Sequence, residues 1–394
     1  MSEIQLFPVT GAHIPESLTH QKYALSSPMR PFEPHPLLRN PHMATVAAAF
    51  WPRKVARLPA ATDRLFEVEP GTRLLAKCQW QRHPQRHPTL VLIHGLEGSS
   101  ESHYMLGIAE KGFASGFNIL RMNQRNCGGT EHLTPTLYNA GLSGDYRAVL
   151  QELIERDALS EIFFAGYSLG GNLVLKMVGE LGPYAPQELR GICAVCPGLD
   201  PAASSDAIAQ PLNFLYERHF LFSYRRRLRR KAKLFPERYS ADDVARYKSL
   251  REWDEAITAP KSGYHDAADY YYRTSALRVV ARIRVPTLII TAQNDPIVPF
   301  ASFCDPGILN NPFIKLIATQ YGGHCGFISR YSGNDRFWVE PRVVEFCKQH
   351  LSTTEDSEVQ KQDFVHTAFG RPVEALLARR AVTQVNADFA GFRC

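Results

Sequence analysis

Six short runs of apolar, β-favouring residues recur between about residues 89 and 320, and longer helical stretches separate them. The runs are almost continuously apolar, which indicates strands that are buried on both faces. Strands that alternate with helices form a parallel sheet through right-handed βαβ crossovers. The six predicted strands are TLVLIHG (89–95), FNILRMNQR (117–125), EIFFAGYS (161–168), GICAVCPG (191–198), PTLIITAQND (286–295) and FIKLIATQ (313–320).

Three further segments accompany this sheet, which belongs to a predicted main domain of residues 61–350. Residues 1–60 are rich in Pro and His, which predicts an extended arm over the surface, with a short helix at MATVAAAF. From about 200 to 283 the strand rhythm stops, so we expect a helical cap inserted after the fourth strand. The C-terminal tail, 351–394, opens with the polar stretch STTEDSEVQKQD and includes a short predicted helix, VEALLARRAV.

Bulk properties point to an ordinary globular protein of 394 residues with a formal net charge of +6. The N-terminus lacks a signal-peptide pattern, and no run of about 18 apolar residues predicts a membrane span. The eight cysteines are scattered, unlike those of a secreted disulfide scaffold. Cys193 and Cys196 fall in a predicted buried strand, which favours a structural role over redox or metal use. We therefore expect a cytoplasmic protein.

The pentapeptide Gly166-Tyr167-Ser168-Leu169-Gly170 is the strongest chemical motif in the sequence. It stands at the end of a predicted strand and directly before a helix, where a nucleophilic serine is held on a sharp turn. Glycines before and after the serine let the chain make that turn without a steric clash. The pattern predicts Ser168 as a nucleophile; the alternative is a strand-to-helix turn without chemistry.

A serine hydroxyl needs a base to remove its proton. Further along the chain, one residue is suited to act as this base and another to orient it. Asp295 follows the fifth predicted strand, and His324 lies in a glycine-flanked loop after the sixth. Their order after Ser168 is that of the G-x-S-x-G hydrolases. We expect His324 to accept the serine proton and Asp295 to orient His324. The alternatives are a solvated loop histidine and a turn-forming aspartate.

Two backbone N–H groups are needed to stabilise the oxyanion that forms during acyl transfer. The first is expected from Leu169, which directly follows Ser168. The second is expected from Leu96 in the loop after the first predicted strand, where Gly95 allows close approach to the substrate. His94 is expected to support this loop. The alternative is a plain glycine-rich turn.

Several segments together resemble the YheT-like branch of the α/β-hydrolase family, over roughly residues 30–350. The resemblance implies an α/β-hydrolase fold and an esterase or acylglycerol lipase with a Ser168–Asp295–His324 triad. Eukaryotic members of that branch are anchored by an N-terminal membrane span, and this chain is more similar to the soluble bacterial members. The segments are LLRNPHMATV, HGLEGSSES, NQRNCGGTE (123–131), GYSLGGN (166–172), HDAADYYYRTSA, Asp295-Pro296 and Gly322-Gly323-His324.

The expected rim of the site offers less specific signals. Arg125 and Cys127 follow the second predicted strand, where shaping of the loop is favoured over direct contact with substrate. Cys325 follows His324 and is expected to pack; it would be reactive only if exposed.

The cap sequence carries a basic run and a group of apolar residues. The basic run predicts a solvated helix face, or alternatively a surface for transient contact with anionic lipid or a phosphate-bearing acyl donor; nucleic-acid binding is disfavoured. The apolar residues predict either an acyl pocket or the core of the cap. The basic run comprises Arg225, Arg226, Arg227, Arg229, Arg230, Lys231 and Lys233, and the apolar group comprises Phe214, Leu215, Phe220 and Phe222.

The sequence thus predicts a serine carboxylic ester hydrolase that acts through an acyl-enzyme intermediate on a small-molecule ester or lipid, without a metal or cofactor. A thioesterase or amidase would use the same acyl-transfer groups. A non-catalytic, hydrolase-like binding protein is the third alternative. The oligomeric state stays open.

Overall fold

Eight strands form a single sheet in the order β1-β2-β4-β3-β5-β6-β7-β8 in the computed structural model. The structure describes residues 30–51, 53, 55–240, 242 and 246–352. Residues 353–394, which make up almost all of the predicted C-terminal tail, lie outside the described residues. Strands β3 to β8 run parallel, and β1 and β2 form an antiparallel edge. The strands are β1 (Thr62–Glu69), β2 (Thr72–Gln79), β3 (Thr89–Ile93), β4 (Asn118–Met122), β5 (Ile162–Tyr167), β6 (Leu189–Val195), β7 (Thr287–Ala292) and β8 (Ile314–Thr319).

All six predicted strands are present, and β3, β4, β5 and β7 are buried along their whole length. The hairpin of β1 and β2 was not predicted. In β1 only Phe66 is buried, so this edge strand lacks the continuous apolar run that marks the central strands.

Helices cover both faces of the sheet, which confirms the predicted α/β-hydrolase fold class. Alternate residues of β3 serve opposite faces: Val91 packs in one core with α3 and α4, and Leu92 packs in the other with α2 and α11. The helices are α1 (Pro41–Phe50), α2 (His103–Ala114), α3 (Ser143–Glu155), α4 (Leu169–Leu181), α5 (Pro201–Ile208), α6 (Phe214–Leu234), α7 (Leu250–Trp253), α8 (Ala259–Lys261), α9 (Ala267–Thr274), α10 (Pro306–Leu309) and α11 (Val339–Gln349).

The helical cap lies between β6 and β7, as predicted, and consists of α5 to α9. A π-helical turn, Asp254–Thr258, joins α7 to α8. Such turns are rare and are frequent at functional sites. Among the helices that the structure describes, none combines the length and the apolar character needed to cross a bilayer.

The segment MATVAAAF lies in α1, which was predicted as a short helix within an otherwise extended arm. Asn40 caps the helix, since its side chain accepts hydrogen bonds from the N–H groups of His42 and Met43. Pro41 occupies the first helical position, where its missing N–H is not needed. Thr45 on this helix accepts a hydrogen bond from the backbone N–H of His324 at 2.9 Å. The helix therefore supports the loop that carries His324.

Candidate active site

Ser168 sits on the sharp turn between β5 and α4, with a φ of 52° that non-glycine residues rarely adopt. The turn requires glycine at both flanking positions. A Cβ atom at Gly166 would lie 2.2 Å from the carbonyl oxygen of Gly170, and one at Gly170 would lie 2.5 Å from the carbonyl oxygen of His94. The positive φ at Ser168 is a strained backbone conformation for a non-glycine residue, and Ser168 lines the cavity described below.

The structure brings Ser168, His324 and Asp295 together in one hydrogen-bonded chain. The Nε2 atom of His324 lies 2.8 Å from Ser168 Oγ. Its Nδ1 atom lies 2.8 Å from Asp295 Oδ2. The other oxygen of Asp295 accepts hydrogen bonds from the N–H groups of Ile297 and Val298 at 2.8 and 3.0 Å. The carboxylate is therefore held on both oxygens and cannot rotate away from His324.

The electrostatics of His324 favour its charged form. Burial by itself lowers the pKa of the imidazole, but the Asp295 carboxylate and the Cys325 thiol outweigh burial and raise the pKa well above its usual value. The Asp295 side chain is fully buried, and that of His324 is 12% exposed. A base in this setting holds an abstracted proton strongly and must be neutral before it can accept one.

The two residues predicted to supply oxyanion donors, Leu96 and Leu169, line the same cavity as Ser168. Leu169 is the first residue of α4, so its N–H is among those without an intrahelical acceptor, at the positive end of the helix dipole. Gly95 approaches Ser168 closely, since a Cβ atom there would lie 3.0 Å from Ser168 Cβ. A side chain at position 95 would therefore crowd Ser168, which would have to shift by a few tenths of an ångström.

His94 supports the loop that carries Leu96. Its Nδ1 lies 2.7 Å from the Gly95 carbonyl oxygen, and its Nε2 accepts a hydrogen bond from the Gln124 N–H at 3.1 Å. These contacts fit a neutral ring with its proton on Nδ1. Burial lowers the pKa of His94 to about 4, so the ring stays neutral at physiological pH.

A cleft with about 700 Å³ of empty space, part of it open to solvent, lies beside Ser168 and His324 and is lined in part by the cap. A second cleft, with about 420 Å³ of empty space that also includes open solvent, shares Leu96, Leu169, Tyr224 and Tyr270 with it. Such mainly apolar clefts with a few polar groups are typical of small-molecule sites. The apolar lining of the larger cavity includes Leu96, Ile208, Phe220, Tyr224, Ile297 and Val298.

Only one of the four apolar cap residues lines this cavity. Phe220 does so, whereas Phe214, Leu215 and Phe222 are 52%, 66% and 60% exposed. For these three, both the acyl-pocket and the cap-core interpretations are wrong, because they lie on the outer face of α6.

Asp254 is a cavity residue that sequence reasoning missed. It begins the π-helical turn and accepts a hydrogen bond from the Tyr271 hydroxyl at 2.8 Å. Burial raises the pKa of its carboxyl to about 6. The available signal was the segment HDAADYYYRTSA, which contains Tyr271, but nothing in its spacing connects it to Asp254.

The predicted rim residues Arg125 and Cys127 lie outside the linings of the two cavities. Arg125 makes a two-point contact with Asp145 at 2.8 and 2.5 Å and a further contact with Glu69 at 2.6 Å. Cys127 is buried, and burial raises the pKa of its thiol to about 12. Both residues shape the loop in this structure.

Part of the basic run in α6 holds the cap to the rim loops and does not form a solvated face. Arg227 forms an ion pair with Glu97, and Arg230 pairs with Glu131 at 2.7 Å. Lys231 is fully buried and donates to the carbonyl oxygens of Glu131 and Thr134. The solvated-face prediction is therefore wrong for Arg227 and Lys231, because α6 turns these positions toward the protein.

Cys325 packs against Cys196, at the end of β6. The Cys325 N–H lies 3.4 Å from Cys196 Sγ, and the Cys325 thiol lies 3.8 Å from the Val195 carbonyl oxygen. Burial opposes ionisation, but the neighbouring Cys196 and His324 lower the pKa of the Cys325 thiol to about 6. The packing prediction agrees with these contacts, although the sequence did not indicate the contact with Cys196.

Comparison with known proteins assigns the chain to a family. A family model for the α/β-hydrolase fold matches residues 88–331. The putative esterase YheT of Escherichia coli K12 is 31% identical over 330 residues, which cover 82% of this chain and 93% of that protein. Phospholipase ABHD3 of Mus musculus is 30% identical over 242 residues, which cover 61% of this chain and 58% of that protein.

A solved structure supports the same fold. The Pyrococcus furiosus esterase Pf2001 superposes with a TM-score of 0.50 at 17% identity, over 74% of this chain and 93% of that chain. The chain therefore belongs to the α/β-hydrolase family, in its YheT-like branch, and is an ester hydrolase of the esterase and lipase class.

Proposed function

We propose that the protein is a serine carboxylic ester hydrolase that works through an acyl-enzyme intermediate, with Ser168 as nucleophile, His324 as base and Asp295 as its orienting acid. One observation carries the proposal: His324 contacts Ser168 Oγ and Asp295 Oδ2 at 2.8 Å through its two ring nitrogens. This arrangement meets the geometric requirement for general-base activation of a serine.

In the proposed reaction, Ser168 Oγ attacks the ester carbonyl while His324 Nε2 takes the hydroxyl proton. The N–H groups of Leu96 and Leu169 stabilise the oxyanion. His324 then returns the proton to the departing alcohol, which leaves an acyl group on Ser168. Water, deprotonated by His324, repeats the sequence and releases the acid. Asp295 stays ionised and stabilises the imidazolium in both halves.

We propose a small-molecule ester or lipid as the substrate. The apolar lining of the larger cavity favours an acyl chain over a charged group. One relative, a putative esterase, and another, a phospholipase, carry names in agreement with ester cleavage.

Labelling by a fluorophosphonate probe tests the nucleophile directly. The intact chain is expected to be labelled once, and Ser168→Ala is expected to abolish both labelling and cleavage of nitrophenyl esters. The matched control is Ser204→Ala, because Ser204 lines the same cavity and offers another hydroxyl. If Ser168→Ala were still labelled and Ser204→Ala were not, the assignment of Ser168 would be wrong.

We further propose a transient contact between the cap and an anionic membrane surface. The outer face of α6 presents Leu215 and Phe222, which are 66% and 60% exposed, together with the exposed Arg226, Arg229 and Lys233. Their spacing of three, four and seven places them along one side of the helix. Apolar residues beside basic ones favour binding at an anionic lipid interface.

Co-sedimentation with vesicles tests the membrane contact. The protein is expected to bind phosphatidylserine vesicles at low salt, and reversal of charge at Arg226, Arg229 and Lys233 is expected to abolish the binding while hydrolysis of a soluble ester persists. Equal binding to neutral vesicles, or no effect of the charge reversal, would contradict the proposal.

A further inference from the structure

Two cysteines that are 129 positions apart in the chain meet beside His324. Cys196 stands at the end of β6 with a φ of 42°, and Cys325 directly follows His324 with a φ of 59°. A ligand atom of each of Cys196, His324 and Cys325 lies within 4.8 Å of the other two. The proposed hydrolytic reaction uses neither thiol.

We propose that Cys196, His324 and Cys325 form a binding site for a thiophilic divalent metal ion such as Zn²⁺, and that the bound ion inhibits hydrolysis. Two sulfurs and one imidazole nitrogen are the donor set of a three-ligand zinc site with an open fourth position. Soft thiolate donors select against Mg²⁺ and Ca²⁺, which bind oxygen ligands.

The spacing of the three donors suits a zinc ion with a small contraction. Zn–S distances of about 2.3 Å and Zn–N distances of about 2.0 Å place tetrahedral ligands roughly 3.5–3.8 Å apart. Since the donors already lie within 4.8 Å of one another, each pair has to close by about 1.3 Å at most. Side-chain rotations at Cys325 and His324 can supply such a shift without rebuilding the strands.

Inhibition follows from how His324 is used, and this part of the inference rests on the proposed function. The ring has two nitrogens: Asp295 contacts Nδ1 and Ser168 contacts Nε2. A metal on Nε2 removes the base from Ser168, and a metal on Nδ1 removes Asp295 from the base. Metal binding and hydrolysis therefore exclude each other whichever nitrogen coordinates.

No electrons are transferred when the site fills. Each thiol that binds forms a sulfur–metal bond and releases its proton to solvent. Removal of the ion by a chelator lets solvent return the protons and frees His324. The inhibition is therefore expected to be fully reversible, which separates it from oxidation or alkylation of the thiols.

Cobalt binding to the full chain tests the site without any use of activity. Co²⁺ is expected to give the near-ultraviolet charge-transfer absorption of cobalt thiolates and the intense visible bands of tetrahedral cobalt, at one ion per chain, and Zn²⁺ is expected to displace it. Cys325→Ser and Cys196→Ser are expected to lose this absorption. The control Cys304→Ser, which changes an exposed cysteine outside the cluster, is expected to keep it.

Inhibition is then measured on the same proteins with a nitrophenyl ester. Because Cys325 also affects the pKa of His324, the activity of each protein is compared with its own activity without zinc. On that scale Cys325→Ser is expected to need at least tenfold more Zn²⁺ for half inhibition. Absorption that survives both cysteine substitutions would overturn the site, and unchanged zinc sensitivity in Cys325→Ser would overturn the inhibition. Cobalt absorption in a chain that cleaves no ester would leave the metal site standing and remove only the proposed hydrolytic function.

Discussion

Arg227 of the cap helix and Glu97 of the loop after β3 form a two-point ion pair, in which Nη2 of Arg227 donates to Oε2 of Glu97 at 2.9 Å. The two side chains are only 11% and 6% exposed. The guanidinium also stacks on the Tyr138 ring at 4.6 Å and donates to the Asn126 carbonyl oxygen. The cap is thereby tied to the loop that carries Leu96, one of the proposed oxyanion donors.

Substitution of Arg227 by alanine is expected to destabilise the protein by about 3 kcal/mol, because Glu97 is left as a buried and unpaired charge. Urea unfolding measures the loss. Arg229→Ala, on the exposed side of the same helix, is the control and is expected to change the free energy of unfolding by less than about 0.5 kcal/mol. Equal effects of the two substitutions would mean that the ion pair contributes nothing specific.

Asp295→Asn is expected to lower kcat by about 10⁴-fold, since asparagine carries no charge to stabilise the His324 imidazolium and favours the wrong tautomer. Steady-state kinetics with a nitrophenyl ester measure the change in kcat. Asp305→Asn is the control, because the Asp305 side chain caps α10, where it accepts a hydrogen bond from the Gly307 N–H at 2.7 Å. A loss of less than tenfold in Asp295→Asn, with the fold intact, would argue against Asp295 as the orienting residue.

In a plot of kcat/KM against pH, the loss of activity on the acid side is expected to have its midpoint above pH 6.5. His324 must be neutral to act as a base, and its pKa in the folded protein is raised mainly by Asp295 against the opposing effect of burial. Activity is therefore lost as pH falls through that raised pKa, and kcat/KM against pH measures it. In Asp295→Asn this midpoint is expected to move to lower pH. A plateau that extends well below pH 6 in the unchanged chain would contradict the assignment.

Gly170→Ala is expected to prevent correct folding of the elbow or to abolish activity, because the new Cβ would lie 2.5 Å from two backbone carbonyl oxygens, those of Ile93 and His94. These carbonyl oxygens belong to the backbone, so relief of the clash would require a costly shift of the chain at Ile93 and His94. Gly144→Ala in α3 is the matched control, since no heavy atom other than those of its chain neighbours and its own helix backbone lies within 4 Å of the new Cβ. The midpoint temperature of thermal unfolding of Gly144→Ala is expected to equal or exceed that of the unchanged chain. The reason is that alanine favours the helix over glycine by about 0.5–1 kcal/mol.

The central strands and the candidate nucleophile were predictable because their signals are local. A strand such as β5 is buried on both faces and reads as one apolar run, and the glycines around Ser168 are required by the backbone of that single turn. The edge hairpin of β1 and β2 was missed for the converse reason: a partly exposed strand has a mixed sequence. The positions of Asp295 and His324 could be predicted only because each follows a recognisable strand.

The sequence by itself therefore determined the order of the strands along the chain and the turn at Ser168. It also determined which residues follow the carboxyl ends of the parallel strands and so lie at one edge of the sheet. Only the tertiary structure decided that Arg227 faces Glu97 and not solvent, that Asp254 borders the cavity, and that Cys196 lies against His324 and Cys325. The physical reason is that local conformation depends on neighbours in sequence. Contacts between a cap helix and a loop, or between cysteines 129 positions apart, depend on how separate elements pack.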